Sequence, residues 1–330
     1  MAITAINTAA AIIPSQAEKL TQLCKATADG HRLQILRVLK RESYGVLELC
    51  NILAIKQSTL SHHLKILANA QLVATRREGN SIFYRRKLVL DNEQFRSIKQ
   101  SLFDQIDTLP LEQDIRRQMA LIQQERSQLS LNFFKRNASK FAEKQGLITE
   151  YADYKTSLSD LIWGIDLHAD ASVMEVGPGE GELLIELAEH FQHLWALDNS
   201  SEMLNRAKLA AEQAGHNKIN FVLGDTGVAS KQQLRCDLVI FNMVLHHISS
   251  PARTFEEAAA VLKPKGHLLI VELSSHNQDW VRQSCGDLWL GFDSEELSHW
   301  ARAAGLDDGK SLYLGLRNGF QIQMRLFSKP

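Results

Sequence analysis

The chain has 330 residues, 45% of them hydrophobic, and a formal net charge of −1. That size suggests two globular domains with room for sizeable cores. Its cysteines, Cys24, Cys50, Cys236 and Cys285, are too scattered for a disulfide framework and fit reduced thiols in a cytoplasm. No apolar run reaches membrane-spanning length, and Ala9–Ile13 is too short, and lacks the basic lead, for a signal peptide. Residues 1–110 carry 15 Lys/Arg against 9 Asp/Glu, whereas the remainder carries 22 against 29. Only the front is therefore expected to meet a polyanion.

Gln16–Ala28 has helical apolar spacing. Asp29 is placed to cap a second helix, His31–Lys40, with Leu33, Leu36 and Leu39 turned inward. Gly45 precedes a short helix over Val46–Leu53, and another follows over Gln57–Leu67. Leu60, Leu64 and Leu67 mark the buried side of the latter. Gln57, Ser58, Ser61, His62 and Lys65 lie largely opposite. Two short helices joined this way suit a helix-turn-helix whose second helix enters the major groove of DNA. Gln and Ser reach base edges there, and Lys65 reaches a phosphate. Adjacent helix positions point about 100° apart, so His62 and His63 do not share one ion. His62 is expected at DNA, and His63 in packing or at a phosphate. Leu72–Arg76 and Ser81–Arg86 read as a hairpin around Arg77-Glu78-Gly79-Asn80, the basic wing of a winged helix.

Leu47-Glu48-Leu49-Cys50, Gln57–Leu67 and Arg77-Glu78-Gly79-Asn80 together make Ala26–Arg86 resemble the ArsR/SmtB family of dimeric bacterial repressors. The resemblance implies a double-stranded operator as partner. It implies DNA contacts from Gln57, Ser58, Thr59, Ser61, His62, Lys65, Arg76, Arg77 and Arg85. The family's metal sites do not carry over. Cys50 is followed by Asn51 and Ile52 rather than by a second cysteine, and Asp91–Asp107 contains no histidine. No metal is therefore expected, while a redox pairing of Cys24 with Cys50 stays open.

Asp91 to about Gln128 reads as helix interrupted at Pro110. Phe95, Ile98, Leu102 and Ile106 form one apolar stripe. In the resembled repressors this helix and the first form the dimer interface, so the resemblance favours a homodimer, with a core-facing helix as the competing account. Leu111–Leu129 reads as a semi-rigid connector. The expected division is a DNA-binding domain over 1–108, a helical connector over 109–132 and a second domain over 133–330.

From Ser172 onward apolar strands alternate with amphipathic helices. Strands read at Ser172–Val176, Leu194–Leu197, Ile219–Leu223, Asp237–Phe241 and His267–Leu273. Helices read at Gly181–His190, Ser201–Ala214, Arg253–Leu262 and Ser294–Ala304. This alternation predicts a parallel sheet with right-handed crossovers. Ser311–Leu316 and Phe320–Phe327 flank Arg317-Asn318-Gly319 and predict a terminal antiparallel hairpin. The first strand of the series runs into Val176-Gly177-Pro178-Gly179-Glu180-Gly181. Glycines there let a ligand approach the backbone amides at a helix start. Asp198, 21 residues after Gly177, ends the next strand, where a carboxylate takes ribose hydroxyls. Glu175 before the turn suits an amine-bearing ligand better than a pyrophosphate.

These residues resemble motif I of the class I S-adenosylmethionine-dependent methyltransferases, over about Phe133 to Pro330. The expected fold class is therefore α/β: an N-terminal winged helix-turn-helix plus a C-terminal seven-stranded Rossmann-like sheet with an antiparallel terminal strand. The resemblance implies cofactor contacts from Glu175, Gly177, Gly179, Gly181, Asp198, Asn199, Asp225, Thr226 and Asn242. It places Phe133, Phe134, Tyr151 and Tyr154 in an aromatic lid, with core packing as the competing account, and Gly286–Phe292 at the acceptor pocket. His246 and His247 are candidates for a base or a structural pair. The implied function is a DNA-binding regulator fused to a methyltransferase that acts on an unidentified small molecule. The alternative is a non-catalytic sensor of S-adenosylmethionine or S-adenosylhomocysteine.

Overall fold

The computed structural model describes residues 15–79 and 81–330; the Ala9–Ile13 run and Asn80, at the expected wing tip, lie outside them. The chain divides into two compact units. One holds the residues up to Arg76 with Phe83–Ile115, the other Arg77–Ile82 with Arg116–Pro330.

The first unit begins with α1 (Gln16–Thr27), which Ser15 and Glu18 close with a capping box. Asp29 then caps α2 (Gly30–Val38), its Oδ1 accepting from the Arg32 N–H at 3.0 Å. After the short strand β1 (Tyr44–Gly45), α3 (Val46–Leu53) ends where Ala54 turns left-handed, and α4 (Gln57–Asn69) follows. Strands β2 (Val73–Glu78) and β3 (Ser81–Arg86) complete a sheet of order β1-β3-β2. Leu36, Leu49, Leu60, Leu64 and Leu67 are fully buried and form its core.

The helix expected from Asp91 begins only at Arg96, as α5 (Arg96–Thr108). Phe95 adopts a left-handed conformation there, and Glu93 pairs with Lys87 and Lys99 instead of joining the helix. The buried face also differs from the expected stripe. Lys99, Phe103 and Ile106 are buried, while Ile98 is 47% exposed. Glu93 neutralises Lys99, and this permits a lysine on the inner face.

In the second unit α6 (Gln113–Asn137), which starts just before the division, runs on past the expected limit near Gln128. It is followed by α7 (Phe141–Gln145) and α8 (Tyr151–Trp163). Strands and helices then alternate: β4 (Ser172–Val176), α9 (Glu182–Ala188), β5 (His193–Asp198), α10 (Ser201–Gln213), β6 (Asn220–Leu223), α11 (Thr226–Lys231), β7 (Cys236–Asn242), α12 (Pro251–Val261) and β8 (Leu262–Leu273). The series closes with α13 (Trp280–Ser284), α14 (Ser294–Ala303), β9 (Asp307–Gly315) and β10 (Gln321–Ser328).

The sheet order is β6-β5-β4-β7-β8-β10-β9. β4 pairs in parallel with β5 and with β7, whereas β10 is antiparallel to both β8 and β9. The terminal antiparallel hairpin thus forms as expected. Because the order reverses at β4, a crevice opens at the carboxyl ends of β4, β5 and β7. Val173, Leu184, Ala196, Leu238, Ile240 and Leu269 fill the core beneath it. Strand β8 begins at Leu262 rather than at the expected His267, with a register shift between Cys236 and Leu238 of β7.

Candidate functional site

β4 delivers the chain into the crevice at Gly177, whose φ of +68° is a left-handed value that favours glycine. A Cβ there would also collide with Val244. Gly179 has φ +57°, and its Cβ would lie 3.3 Å from the Phe141 ring. Both glycines are therefore demanded by backbone conformation and packing as well as by ligand access.

A cavity of about 600 Å³ opens at these strand ends, within the usual range for cofactor sites. Gly177, Gly179, Asp198, Asn199, Asp225, Thr226 and Asn242 all line it. Glu175 and Gly181 are not on its wall: Gly181 caps α9, and Glu175 lies wholly inside the protein. Burial pushes the Glu175 carboxyl up to about 8, and its Oε2 has no hydrogen-bond partner among the described residues.

Asp198 ends β5. Burial raises its carboxyl to about 6, against the opposing pull of the Ser200 and Asn199 N–H groups. The Ser200 N–H donates to Oδ1 at 2.8 Å. Asp225 is exposed and caps α11, its Oδ1 accepting from the Val228 N–H at 3.0 Å. Thr226 is buried and donates its hydroxyl to Glu257 Oε2 at 2.6 Å. Asn242, at the end of β7, accepts from the Tyr154 hydroxyl at 3.1 Å. The arrangement offers one desolvated carboxylate, one half-engaged carboxylate and an amide around a glycine turn. It suits a polar ligand with paired hydroxyls.

Three of the four aromatic candidates, Phe134, Tyr151 and Tyr154, line the cavity. Phe133 does not. Its ring lies beside Gly286, where a Cβ would strike it, and 5.0 Å from Lys144 Nζ. Two further contributors escape a motif-based reading. One is Phe141. The other is the stretch of α6 that carries Ala120, Gln123, Gln124, Ser127 and Phe134. Their spacing of three and four marks one helix face, a signal readable in the sequence. The face is small and polar rather than apolar, so hydrophobic periodicity passes over it.

His247 lines the cavity, and His246 sits behind it with no exposed surface. The His246 Nδ1 lies 2.6 Å from Glu272 Oε1, and its backbone N–H donates to Glu272 Oε2 at 3.0 Å. Burial alone would lower the His246 imidazole, but Glu272 and Asp287 lift it to about 9. Burial and the neighbouring His246 hold His247 well below the imidazole range. Gly286–Phe292 do not line the cavity, contrary to expectation. This segment is buried beneath the histidine turn. The Leu288 and Trp289 N–H groups donate to the His246 carbonyl at 2.9 and 3.2 Å, and Trp289 Nε1 donates to the Ile248 carbonyl at 2.8 Å. Its role in the structure is to brace the turn.

In the first unit, α4 turns Gln57, Ser58, Thr59, Ser61, His62 and Lys65 to solvent. His63 turns inward, stacked on His31 at 5.6 Å, with Nδ1 3.8 Å from Asp29. Arg76 and Arg85 are half-buried, and Arg77 is exposed. Cys24 and Cys50 are free thiols.

Residues 123–309 match the family described as a methyltransferase domain, and residues 29–75 match the arsR family of bacterial regulatory proteins. A tRNA 5-carboxymethoxyuridine methyltransferase of Escherichia coli (strain K12) is 32% identical over 106 residues, covering 32% of this chain and 41% of that one. The chain thus spans less than half the length of that relative. A ubiquinone biosynthesis O-methyltransferase of Coxiella burnetii is 28% identical over 166 residues, covering 46% of this chain and 70% of that one. Among solved structures, the N-methyltransferase NodS of Bradyrhizobium japonicum, in complex with S-adenosyl-l-homocysteine, aligns with a TM-score of 0.42 at 18% identity. That alignment covers 53% of this chain and 85% of NodS.

Proposed function

We propose that this chain, which belongs to the methyltransferase domain family and carries an arsR-family helix-turn-helix, is a DNA-binding regulator fused to an S-adenosylmethionine-dependent methyltransferase. The observation that carries this reading is the desolvated Asp198 carboxylate, held at the rim of the glycine turn in the strand-end cavity. A buried carboxylate raised to about 6 gains from donors, and the two ribose hydroxyls of the cofactor are such donors. Gly177 and Gly179 hold the methionine end against the backbone. Asp225, Thr226 and Asn199 surround the adenine and ribose. Glu175 acts from behind the wall, on the amino group of the methionine end.

When bound, the cofactor supplies a methyl group already activated by a positive sulfur. The chain aligns an acceptor with that methyl group and keeps water away. Phe134, Tyr151 and Tyr154 provide aromatic walls, and aromatic faces favour a sulfonium cation. His247 borders the cavity, and burial beside His246 holds its imidazole well below its ordinary range. The relatives' names cover a tRNA base and a quinone precursor pathway. The polar face of α6 on the cavity wall favours a small molecule here.

On the DNA side, Gln57, Ser58, Thr59, Ser61 and His62 read base edges, and Lys65, Arg76, Arg77 and Arg85 meet phosphates. The exposed Ile98 beside Leu102 offers an apolar patch for a second copy. Two copies would match paired operator half-sites. The described helices include none long and apolar enough to cross a membrane, which fits action in the cytoplasm. Incubating the whole chain with methyl-labelled cofactor and fractionated cell metabolites tests the enzyme reading. Labelled product is expected. Retained cofactor without label on any fraction would instead support a sensor and overturn catalysis.

A further inference from the structure

Behind the cavity wall, three side chains with ligand-type atoms converge. His246, His247 and Asp287 are 0%, 6% and 3% exposed. Each brings one ligand-type atom within 4.8 Å of the others. The His246 Nδ1 faces Glu272 Oε1 at 2.6 Å, and the His247 Nδ1 faces the Gly286 carbonyl at 3.3 Å and stands 4.0 Å from Asp287 Oδ1. A carboxylate and a carbonyl only accept, so each Nδ1 carries the hydrogen. Neutral His247 thereby keeps a lone pair on Nε2, and His246 gains one when an incoming cation displaces the second proton that Glu272 and Asp287 favour. Among the described residues neither Nε2 has a hydrogen-bond partner, and neither oxygen of Asp287 has one. Native interiors rarely leave so many buried acceptors unsatisfied side by side.

We propose that His246, His247 and an Asp287 oxygen form a binding site for a divalent transition cation of the zinc class. Two imidazoles and a carboxylate are a donor set that such ions favour, and three protein ligands leave a further position open. Glu272 and the Gly286 carbonyl supply the outer hydrogen bonds that fix both imidazole tautomers, as partners of ligating histidines commonly do. The charges also agree: Arg282 pairs with the buried Glu78, and a dication offsets the remaining buried carboxylates, Asp287 and Glu272. His247 borders the cavity, so the ion would stand at the edge of the space assigned to the acceptor. The competing arrangement puts a second proton on His246, between Glu272 and Asp287. It accounts for His246 and the carboxylates, and leaves the His247 Nε2 with nothing.

A second group, Asp29, His31 and His63, also brings ligand atoms together. Asp29 is already engaged with the Arg32 N–H, and His31 is exposed. His31→Ala removes it from the experiment. The whole chain carrying His31→Ala is loaded with zinc chloride, dialysed exhaustively and analysed by atomic emission. About one zinc per chain is expected, with retention weakened at least about tenfold by Asp287→Asn or His247→Gln. No zinc in the folded His31→Ala chain, or undiminished retention in both variants, overturns the site. Should either variant fail to fold, cobalt(II) loading of the His31→Ala chain decides. Intense visible bands of a low-coordinate nitrogen–oxygen site are expected, and a spectrum matching aqueous cobalt overturns the proposal. None of these readouts depends on methyl transfer.

Discussion

Helix α4 and the ends of β4, β5 and β7 both present polar side chains, under opposite physical conditions. On α4, Gln57, Ser58 and Ser61 face solvent. Water satisfies them, so their geometry permits a DNA groove without demanding one. At the strand ends, Glu175 is fully buried and Asp198 half-buried on the cavity wall, and burial raises their carboxyls to about 8 and about 6. Such burial costs free energy unless a partner repays it. The ligand site is therefore argued from energetics, and the DNA face from arrangement and family.

The largest expected effect comes from Gly177→Ala, which forces a left-handed residue against Val244. Unfolding in denaturant should show a loss of about 3 kcal/mol. Adding Val244→Ala should recover the steric part and leave the backbone part. A Gly177→Ala chain as stable as the parent would show that the turn relaxes freely and that the glycine serves ligand access alone. Next, Asp198→Ala should weaken S-adenosylhomocysteine binding by about 1–3 kcal/mol in calorimetry, through lost hydroxyl partners. Unchanged affinity would reject the ribose assignment.

The same carboxyl gives a pH signature. Its pKa is raised to about 6, so lowering the pH through that value protonates Asp198 and removes the acceptor that the hydroxyls need. Affinity should fall about tenfold between pH 7 and pH 5. The dependence should vanish in Asp198→Ala, and its persistence there would place the titration on another group. The smallest effect is on the exposed side of the comparison. Gln57→Ala with Ser61→Ala should cost about 1 kcal/mol or more of operator preference and spare nonspecific binding. Equal losses on operator and random DNA would place these side chains at the backbone.

What the residues reveal in advance follows the same divide. The glycine turn, Asp198 and the alternation after Ser172 are local signals, and the sheet forms as they suggest, antiparallel end included. The leucines of α4 likewise mark its buried side. Local patterns do not report pairings distant in sequence. Glu272 reaches His246 from another strand, 26 residues away, and no spacing rule joins them. The α6 wall is hidden for a different reason. Gln123, Gln124 and Ser127 resemble a solvated helix face, and only the fold shows that they line the cavity. The start of α5 misleads because Phe95 takes a left-handed conformation and Glu93 prefers two lysines to a helical turn.

Equilibrium dialysis of the whole folded chain against radiolabelled S-adenosylmethionine addresses the cofactor site directly. Retention of about one equivalent per chain, displaced by unlabelled S-adenosylhomocysteine, is the expected result. Folded protein that retains neither compound would contradict it.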